Sequence, residues 1–522
     1  MRKHVASRLF TKAPLACFML LLFGAARLKA APPGRRGDLG ATGRFWHITD
    51  LHLDPTYHLA SDPTKVCFSS KGAAATGAGP FGDFLCDSPY SLIQSAFLHM
   101  DRLVRPQDFI IWTGDSPPHV PVDELSTEIV IQVMSNITQT LLQHFPNVTV
   151  YPALGNHDYW PQDQMPTSTN DIYEAAANMW KPWLQTDALE TLRQGGFYSQ
   201  LVHSGLRVVS VNTILYYGPD KVTTNMSDPA GQFEWLEDTL KRAEQSTEKV
   251  FIIAHVPVGF MASFRNTTAI RKAHNERLVD IFRAYSHVIA GHFYGHIHRD
   301  SIMVLLDQKG KPVNSLFVAP AVTPIKGVSE VYANNPAVRL YLYDTDDFGI
   351  LDIWQYYLNL TEANLRQRAD WRLEYTMTDS FGVKDLRPAS LLKLGLSMWL
   401  PPASTFDTYY THYMAGTSPS SSASFLPSPF RLHAPPALKN THLPAPQSLP
   451  QHPPPCSSQL VVSHFLSEQT AAAADANPEH SAPHPTQPKH KQNRTRERTR
   501  TEDTSQGHTC AAGREAKTWQ PG

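Results

Sequence analysis

Asp50 and His52 open a succession of polar residues that continues through Gly114-Asp115, Gly155-Asn156-His157-Asp158, His255 and Gly295-His296-Ile297-His298. Carboxylate, amide and imidazole are donors that divalent metals such as zinc accept, and these residues are numerous enough for a two-metal site. An isolated D-x-H or H-x-H pair is more often incidental, and most of the 24 histidines must be ordinary. A lone His255 after an apolar strand would as readily be a satisfied core residue. What distinguishes this set is its setting: an apolar run, a turn and then a ligand, which is how α/β enzymes place a site at the carboxyl edge of a sheet. Asp115, after a glycine that lets the chain turn sharply, is suited to bridge two ions through its two oxygens. His296 and His298, two apart, would point to opposite sides of a regular strand, so a turn at Gly295 is needed.

The elements that must position these residues are legible in outline. Strands are expected at Phe45–Thr49, Phe109–Thr113, Val148–Leu154, Leu206–Val211, Val250–Ala254 and Val288–Ala290, with helices at Ser91–Leu103, Leu125–His144 and Gln232–Ala243. Alternation of strand and helix indicates a layered α/β unit. Later runs at Ser315–Val318, Val338–Tyr343 and Leu351–Leu358 have little helix between them and suggest a second, more antiparallel sheet. The expected organisation is a signal peptide over 1–30, a short linker over 31–42, one catalytic domain over 43–414, and a tail over 415–522. The tail is rich in Pro, Ser, Ala and His, and it has too few periodic apolar residues to offset ordering entropy. It is read as disordered, and its arginines from Arg494 to Arg500 as solvated.

At the N-terminus, Arg2, Lys3, Arg8 and Lys12 precede the apolar run Ala13–Phe23 and the small residues Gly24-Ala25-Ala26. That is the pattern of a secretory signal, and the run is short for a membrane anchor. The expectation is a secreted protein without a transmembrane segment, with the endolysosomal lumen as a second destination. In an oxidising compartment Cys67 and Cys86, which flank a Gly-rich loop, are expected to form a disulfide; two free thiols are the alternative. N-x-S/T triplets at Asn136, Asn147, Asn225, Asn266 and Asn359 are candidate glycan sites. The net charge of −1 points to no nucleic-acid partner. The sequence assigns no oligomeric state.

In order, the fragments D-x-H, G-D, G-N-H-D, H and G-H-x-H resemble the calcineurin-like metallophosphoesterase superfamily. The longer stretches Phe45–Pro55, Trp112–Pro121 and Ala153–Pro161 are similar to the acid sphingomyelinase-like phosphodiesterases, over roughly Gly43–Tyr413. The resemblance implies a four-layer β-sandwich flanked by helices and two Zn2+ per chain. It assigns Asp50, His52, Asp115 and His298 to one zinc, and Asp115, Asn156, His255 and His296 to the other. It also implies in-line attack on phosphorus by a metal-bridging hydroxide. His119 and His157 then fit as charge stabilisers or as the acid for the leaving oxygen, with an incidental loop position the alternative for His119. Purple acid phosphatases place a tyrosine ligand for iron three residues after the Gly-Asp aspartate; Pro118 stands there in this chain, which favours zinc. Relatives usually carry Asn at Ile214, Thr at Ile297 and Gln at His292, none of them a ligand. They also continue past Tyr409-Tyr410 into a Cys-rich subdomain, whereas this chain turns Pro/Ser-rich.

The implied activity is hydrolysis of phosphodiester or phosphoanhydride bonds in a small-molecule substrate, a nucleotide or a related compound such as ATP, a CDP-alcohol or a cyclic dinucleotide. Two alternatives stand beside it. One is a sphingomyelin phosphodiesterase, although no Cys-rich saposin-type segment precedes Phe45. The other is a catalytically impaired glycoprotein, through the altered C-terminus or an inherited fold used only for binding.

Overall fold

The computed structural model describes residues 42–103, 107–261, 267–328, 330, 333–398, 404–413, 415 and 459–461. The expected signal peptide, the linker up to residue 41, Asn266, Cys456, Cys510 and most of the tail lie outside them.

Two mixed sheets form the centre. β1 (Thr42–Ile48), β2 (Phe109–Trp112) and β3 (Val150–Pro152) run parallel in the first. β4 (Tyr198–His203), β5 (Leu206–Val211), β6 (Lys249–Ala254), β7 (Ile289–Tyr294), β8 (Ser301–Leu306) and β9 (Pro312–Val318) form the second. Within it β5, β6, β7 and β9 are parallel, while β4 and β8 pair antiparallel beside them. β10 (Ala337–Asp344), β11 (Ile350–Tyr357) and β12 (Arg372–Thr376) return to the first sheet and extend it antiparallel from β1. A three-residue β13 (Gln459–Val461) pairs antiparallel with β8. The late strands therefore do not make a separate antiparallel sheet: Ser315–Val318 completes one mixed sheet, and Val338–Tyr343 and Leu351–Leu358 complete the other. Partner choice in antiparallel pairing is set by burial across distant chain, which a local pattern does not encode.

The sheets meet through aromatic side chains. Phe45 on β1 stacks on Phe109 (4.8 Å between centroids) and Tyr341 (4.9 Å) beside it, and meets Phe251 (5.5 Å) and Phe293 (5.2 Å) of the facing sheet. All five rings are fully buried, and each such ring removed from water stabilises the fold by about 1.5–3 kcal/mol.

The helices are α1 (Tyr90–Leu103), α2 (Thr127–His144), α3 (Asp171–Met179), α4 (Thr186–Gly195), α5 (Gln232–Gln245), α6 (Lys272–Ala284), α7 (Leu360–Arg366), α8 (Met377–Phe381), α9 (Pro388–Ser397) and α10 (Ser404–Tyr413). The longest, α2, buries Val130, Val133, Met134, Ile137 and Leu141, the spacing of one helical stripe. It begins at Thr127, two residues later than the pattern suggests, because the Ser126 side chain caps it by accepting from Ile129 N. No helix among the described residues is long and apolar enough to cross a membrane.

Candidate metal centre

Every predicted ligand lies just beyond the carboxyl end of a strand. Asp50 and His52 follow β1, Asp115 follows β2, Asn156 follows β3, His255 follows β6, and His296 and His298 follow β7. Both sheets thus deliver side chains to one edge. The backbone there is unusual: Asp50 (φ 50°), His52 (41°), Asp115 (59°), His296 (75°) and His298 (59°) all adopt left-handed conformations. Such conformations cost of order 1–3 kcal/mol each in non-glycine residues and concentrate where function holds them. Three glycines let the loops close. A Cβ on Gly295 would lie 2.6 Å from Asp50 Oδ2, one on Gly155 would lie 2.1 Å from Asp115 Oδ1, and one on Gly114 would lie 2.4 Å from Gly155 N.

Two groups of ligating atoms that include a carboxylate result, Asp50–His52–His298 and Asp115–His255–His296, each with one donor atom per residue within 4.8 Å of the others, and His52 also groups in this way with His119 and His157. The histidines of the H-x-H pair therefore serve different groups, as their alternation allows. Asp115 lies between the groups. Its Oδ2 is 3.5 Å from His52 Nε2 and 3.0 Å from His255 Nε2, while Oδ1 accepts from the His157 amide (2.8 Å). One oxygen rather than the expected two thus faces both groups. Asn156 joins the second group: its Nδ2 donates to Asp163 (2.9 Å), which turns Oδ1 toward His255 Nε2 (3.0 Å) and His296 Nδ1 (3.1 Å).

The residues fit a pair of cations. His52 Nδ1 donates to the Pro117 carbonyl (2.7 Å) and His255 Nδ1 to that of Thr113 (2.7 Å). Each Nε2 lone pair is therefore aimed inward, the tautomer expected of a ligating histidine. His52 Nε2 is buried with no hydrogen-bond partner, and His255 Nε2 faces the acceptors Asn156 Oδ1 and Asp115 Oδ2. Acceptors converging in a buried space need a cation among them. The electrostatics agree. Burial alone would lower His255, but the carboxylate of Asp115 lifts it to about 9, so a positive charge, proton or metal ion, is favoured at its Nε2. Burial would raise Asp50, yet His298, His52 and His255 hold it well below the usual range. Burial and the nearby His255 hold His296 down at about 3.

His119 and His157 sit beside the first group. The His119 ring is 4.1 Å from that of His52 and 4.4 Å from that of His157, and its side chain is 28 % exposed. His119, His296 and His298 reach a cleft of about 390 Å³ that Lys71, Arg299 and Lys326 also line.

Residues to which the sequence assigned no role hold these in place. Asp158, whose carboxyl burial pushes up to about 6, accepts from the backbone N–H groups of Asp115 (2.9 Å), Ser116 (2.9 Å) and Gly155 (2.8 Å), locking two ligand loops together. Asp87 pairs with His119. Its one sequence signal is its place directly after Cys86. The Cys67–Cys86 disulfide forms as expected, with an S–S distance of 1.92 Å. Of the candidate glycan sites, Asn147 and Asn225 are exposed and Asn136 and Asn359 half-buried; Asn359 also caps α7 by accepting from Glu362 N. His292 is buried against Phe282 (4.7 Å) and held at about 3 by burial, a neutral core residue away from the ligands.

Two mixed sheets carrying ligands for a dinuclear metal site at one edge define a metallophosphoesterase. A family model described as Calcineurin-like phosphoesterase matches residues 43–300, and one described as Acid sphingomyelin phosphodiesterase C-terminal region matches residues 311–423. The chain is 58 % identical over 388 residues to Cyclic GMP-AMP phosphodiesterase SMPDL3A of Homo sapiens, covering 74 % of this chain and 86 % of that one. It is 40 % identical over 385 residues to Acid sphingomyelinase-like phosphodiesterase 3b of Homo sapiens (72 % and 84 %). It is 37 % identical over 360 residues to Sphingomyelinase phosphodiesterase C of Dictyostelium discoideum (67 % and 80 %). The chain belongs to the acid sphingomyelinase-like phosphodiesterases, within the calcineurin-like metallophosphoesterase superfamily, and is a phosphoric diester hydrolase.

Proposed function

We propose that the protein is a zinc-dependent hydrolase of phosphodiester or phosphoanhydride bonds in nucleotides and related compounds, among them ATP, CDP-alcohols and cyclic dinucleotides. The observation that carries this reading is Asp115 Oδ2 standing between two inward-facing imidazoles at the head of a cleft with cationic residues on its walls. Asp50, His52, Asp115 and His298 would hold one zinc, and Asp115, Asn156, His255 and His296 the other. Nitrogen and oxygen donors without thiolate suit that metal. Bound there, the ions would supply Lewis acidity, making water available as a nucleophile near neutral pH and neutralising charge on the phosphoryl oxygens.

The chain's own groups would do the rest. Lys71, Arg299 and Lys326 would draw the anionic substrate into the cleft. His157, its Nε2 3.1 Å from Gln162 Nε2 and its Nδ1 buried without a partner, would donate to a phosphoryl oxygen. His119 would give a proton to the leaving oxygen. A nucleotide substrate is favoured over sphingomyelin because the relative at 58 % identity is named for a cyclic dinucleotide. Secretion, or the endolysosomal lumen, is the proposed location. It is supported by the disulfide, which oxidising compartments maintain; Asn136, Asn147, Asn225 and Asn359 would there carry glycans.

A panel of nucleotides, dinucleotides and sphingomyelin tests the reading. Hydrolysis of nucleotides should stop with a chelator and return with zinc, and Asn156→Ala or His157→Ala should nearly abolish turnover while secretion persists. Absence of hydrolysis across the nucleotides by folded, zinc-loaded protein would overturn it.

A further inference from the structure

Asp87 is a fully buried carboxylate outside the ligand set, yet the hydrogen bonds its oxygens accept lead to the site. Its Oδ2 accepts from the His119 backbone N–H (2.6 Å), and the His119 ring Nδ1 lies 3.1 Å from Oδ1 and 3.2 Å from Oδ2. Oδ1 also accepts from Thr323 Oγ1 (2.9 Å), and Thr323 N donates to the Asp50 carbonyl (3.0 Å). On the other side the Asp87 amide donates to Ser69 Oγ (2.9 Å), and Ser69 and Asp87 lie next to the two ends of the Cys67–Cys86 disulfide loop. The carboxylate is therefore held by two chain segments, at His119 and Thr323, and its backbone by a third at Ser69.

An ionised carboxylate only accepts, so the ring nitrogen facing it must carry hydrogen. That sets the His119 orientation: Nδ1–H points to Asp87, and Nε2 is the nitrogen left for the cleft. We propose that Asp87 is a positioning residue for leaving-group protonation, an inference that rests on the diester-hydrolase reading of the same site. Asp87 fixes the His119 ring and stabilises its positive charge while Nε2–H faces the leaving oxygen. In the step, a water oxygen forms a bond to phosphorus and the bond from phosphorus to the leaving oxygen breaks with its electron pair. That oxygen takes the Nε2 proton, leaving neutral His119, an alcohol and a phosphomonoester. The proton lost by the attacking water restores the imidazolium.

A second carboxylate partner is also what a metal-ligating histidine would have, so the test separates the two roles. Two diesters are compared in the zinc-loaded full chain. One releases p-nitrophenolate, which needs no proton on leaving; the other releases an aliphatic alcohol, which does. His119→Ala should slow the alkyl diester by about 10²–10⁴-fold, the range for a lost general acid. Asp87→Asn should slow it by about 10–100-fold, as loss of an orienting partner does. Both variants should lose far less on the p-nitrophenyl diester than on the alkyl one and keep wild-type metal content. The double variant should be no slower than His119→Ala, since Asp87 acts only through that ring. Thr323→Val keeps the carboxylate but frees its rotamer, and it should show a smaller loss with the same leaving-group selectivity; it carries the test if Asp87→Asn does not fold. Equal loss on both diesters, multiplicative losses in the double variant, or a missing metal ion in His119→Ala would overturn the proposal. Wild-type protein inactive on both diesters would instead overturn the hydrolase reading beneath it.

Discussion

Gly155→Ala is a sharp single perturbation of the metal centre, because it adds one methyl group where two ligand loops meet closely. The new Cβ would stand 2.1 Å from Asp115 Oδ1, 2.4 Å from Asp115 N and 2.8 Å from Asp115 Cγ. Carbon and oxygen atoms that are not bonded stay at roughly 3 Å or beyond, so something must move by about 1 Å. Neither loop can yield alone. Asp115 N and Gly155 N both donate to Asp158 Oδ2, at 2.9 and 2.8 Å, and Asp115 Oδ1 holds the His157 amide at 2.8 Å. The displacement is therefore passed to the carboxylate between the two groups. Overpacking of this kind costs about 1–3 kcal/mol, which a domain with about 5–15 kcal/mol of stability survives. Function should suffer far more, since a misplacement of about 1 Å near the reacting atoms can cost about 10²-fold in rate. The assays are thermal unfolding, metal content by mass spectrometry, and kcat/KM on a diester. The expected outcome is a folded protein with reduced metal content and a rate down by about two orders of magnitude. A folded variant with full metal content and near-wild-type kcat/KM would refute the claim that these loops are rigidly coupled.

Two further outcomes follow from the same contacts. Asp163→Ala releases the Asn156 amide, whose orientation depends on the Nδ2 hydrogen bond; turnover should fall by about 10–100-fold with the melting temperature little changed, and an unchanged rate would show that Asp163 is not needed to aim that amide. Glu374 tests a pH dependence at a carboxyl outside the ligand set. Burial lifts its carboxyl from 4.5 to about 6, against the pull of His412 on α10. A raised acid binds its proton more tightly in the folded state, so its contribution is complete below pH 4.5 and is lost as pH rises through 6. The loss is on the order of 2 kcal/mol; Glu374→Gln should flatten the stability profile across that window, and an unaltered slope would refute the assignment.

The site was legible in the sequence to the extent that its chemistry is carried by side chains in order along the chain. Asp50, His52, Asp115, Asn156, His255, His296 and His298 all reach one strand edge because each follows a short apolar run, a pattern that local reading captures. What determines their aim is not local. The carbonyls of Pro117 and Thr113, which set the tautomers of His52 and His255, belong to backbone that any residue supplies. Asp87 and Asp163 look like ordinary acidic residues until the loops that they join are brought together, and Asp158, although it ends the Gly155–Asp158 run, shows no sign there of the loops it braces. The same limit explains the sheets. Strand positions could be read from composition, but β10 pairs with β1 across most of the domain through burial on both faces. One feature ties the two levels together: the residues that were easiest to find, at Asp50, His52, Asp115, His296 and His298, are those with left-handed backbone. Strain of that kind persists only where the surroundings over-determine it, and here the surroundings are the carboxylates and carbonyls that the sequence left unmarked. The ligands are therefore the visible half of the centre, and Asp87, Asp158 and Asp163 are where substitutions should separate metal binding from turnover.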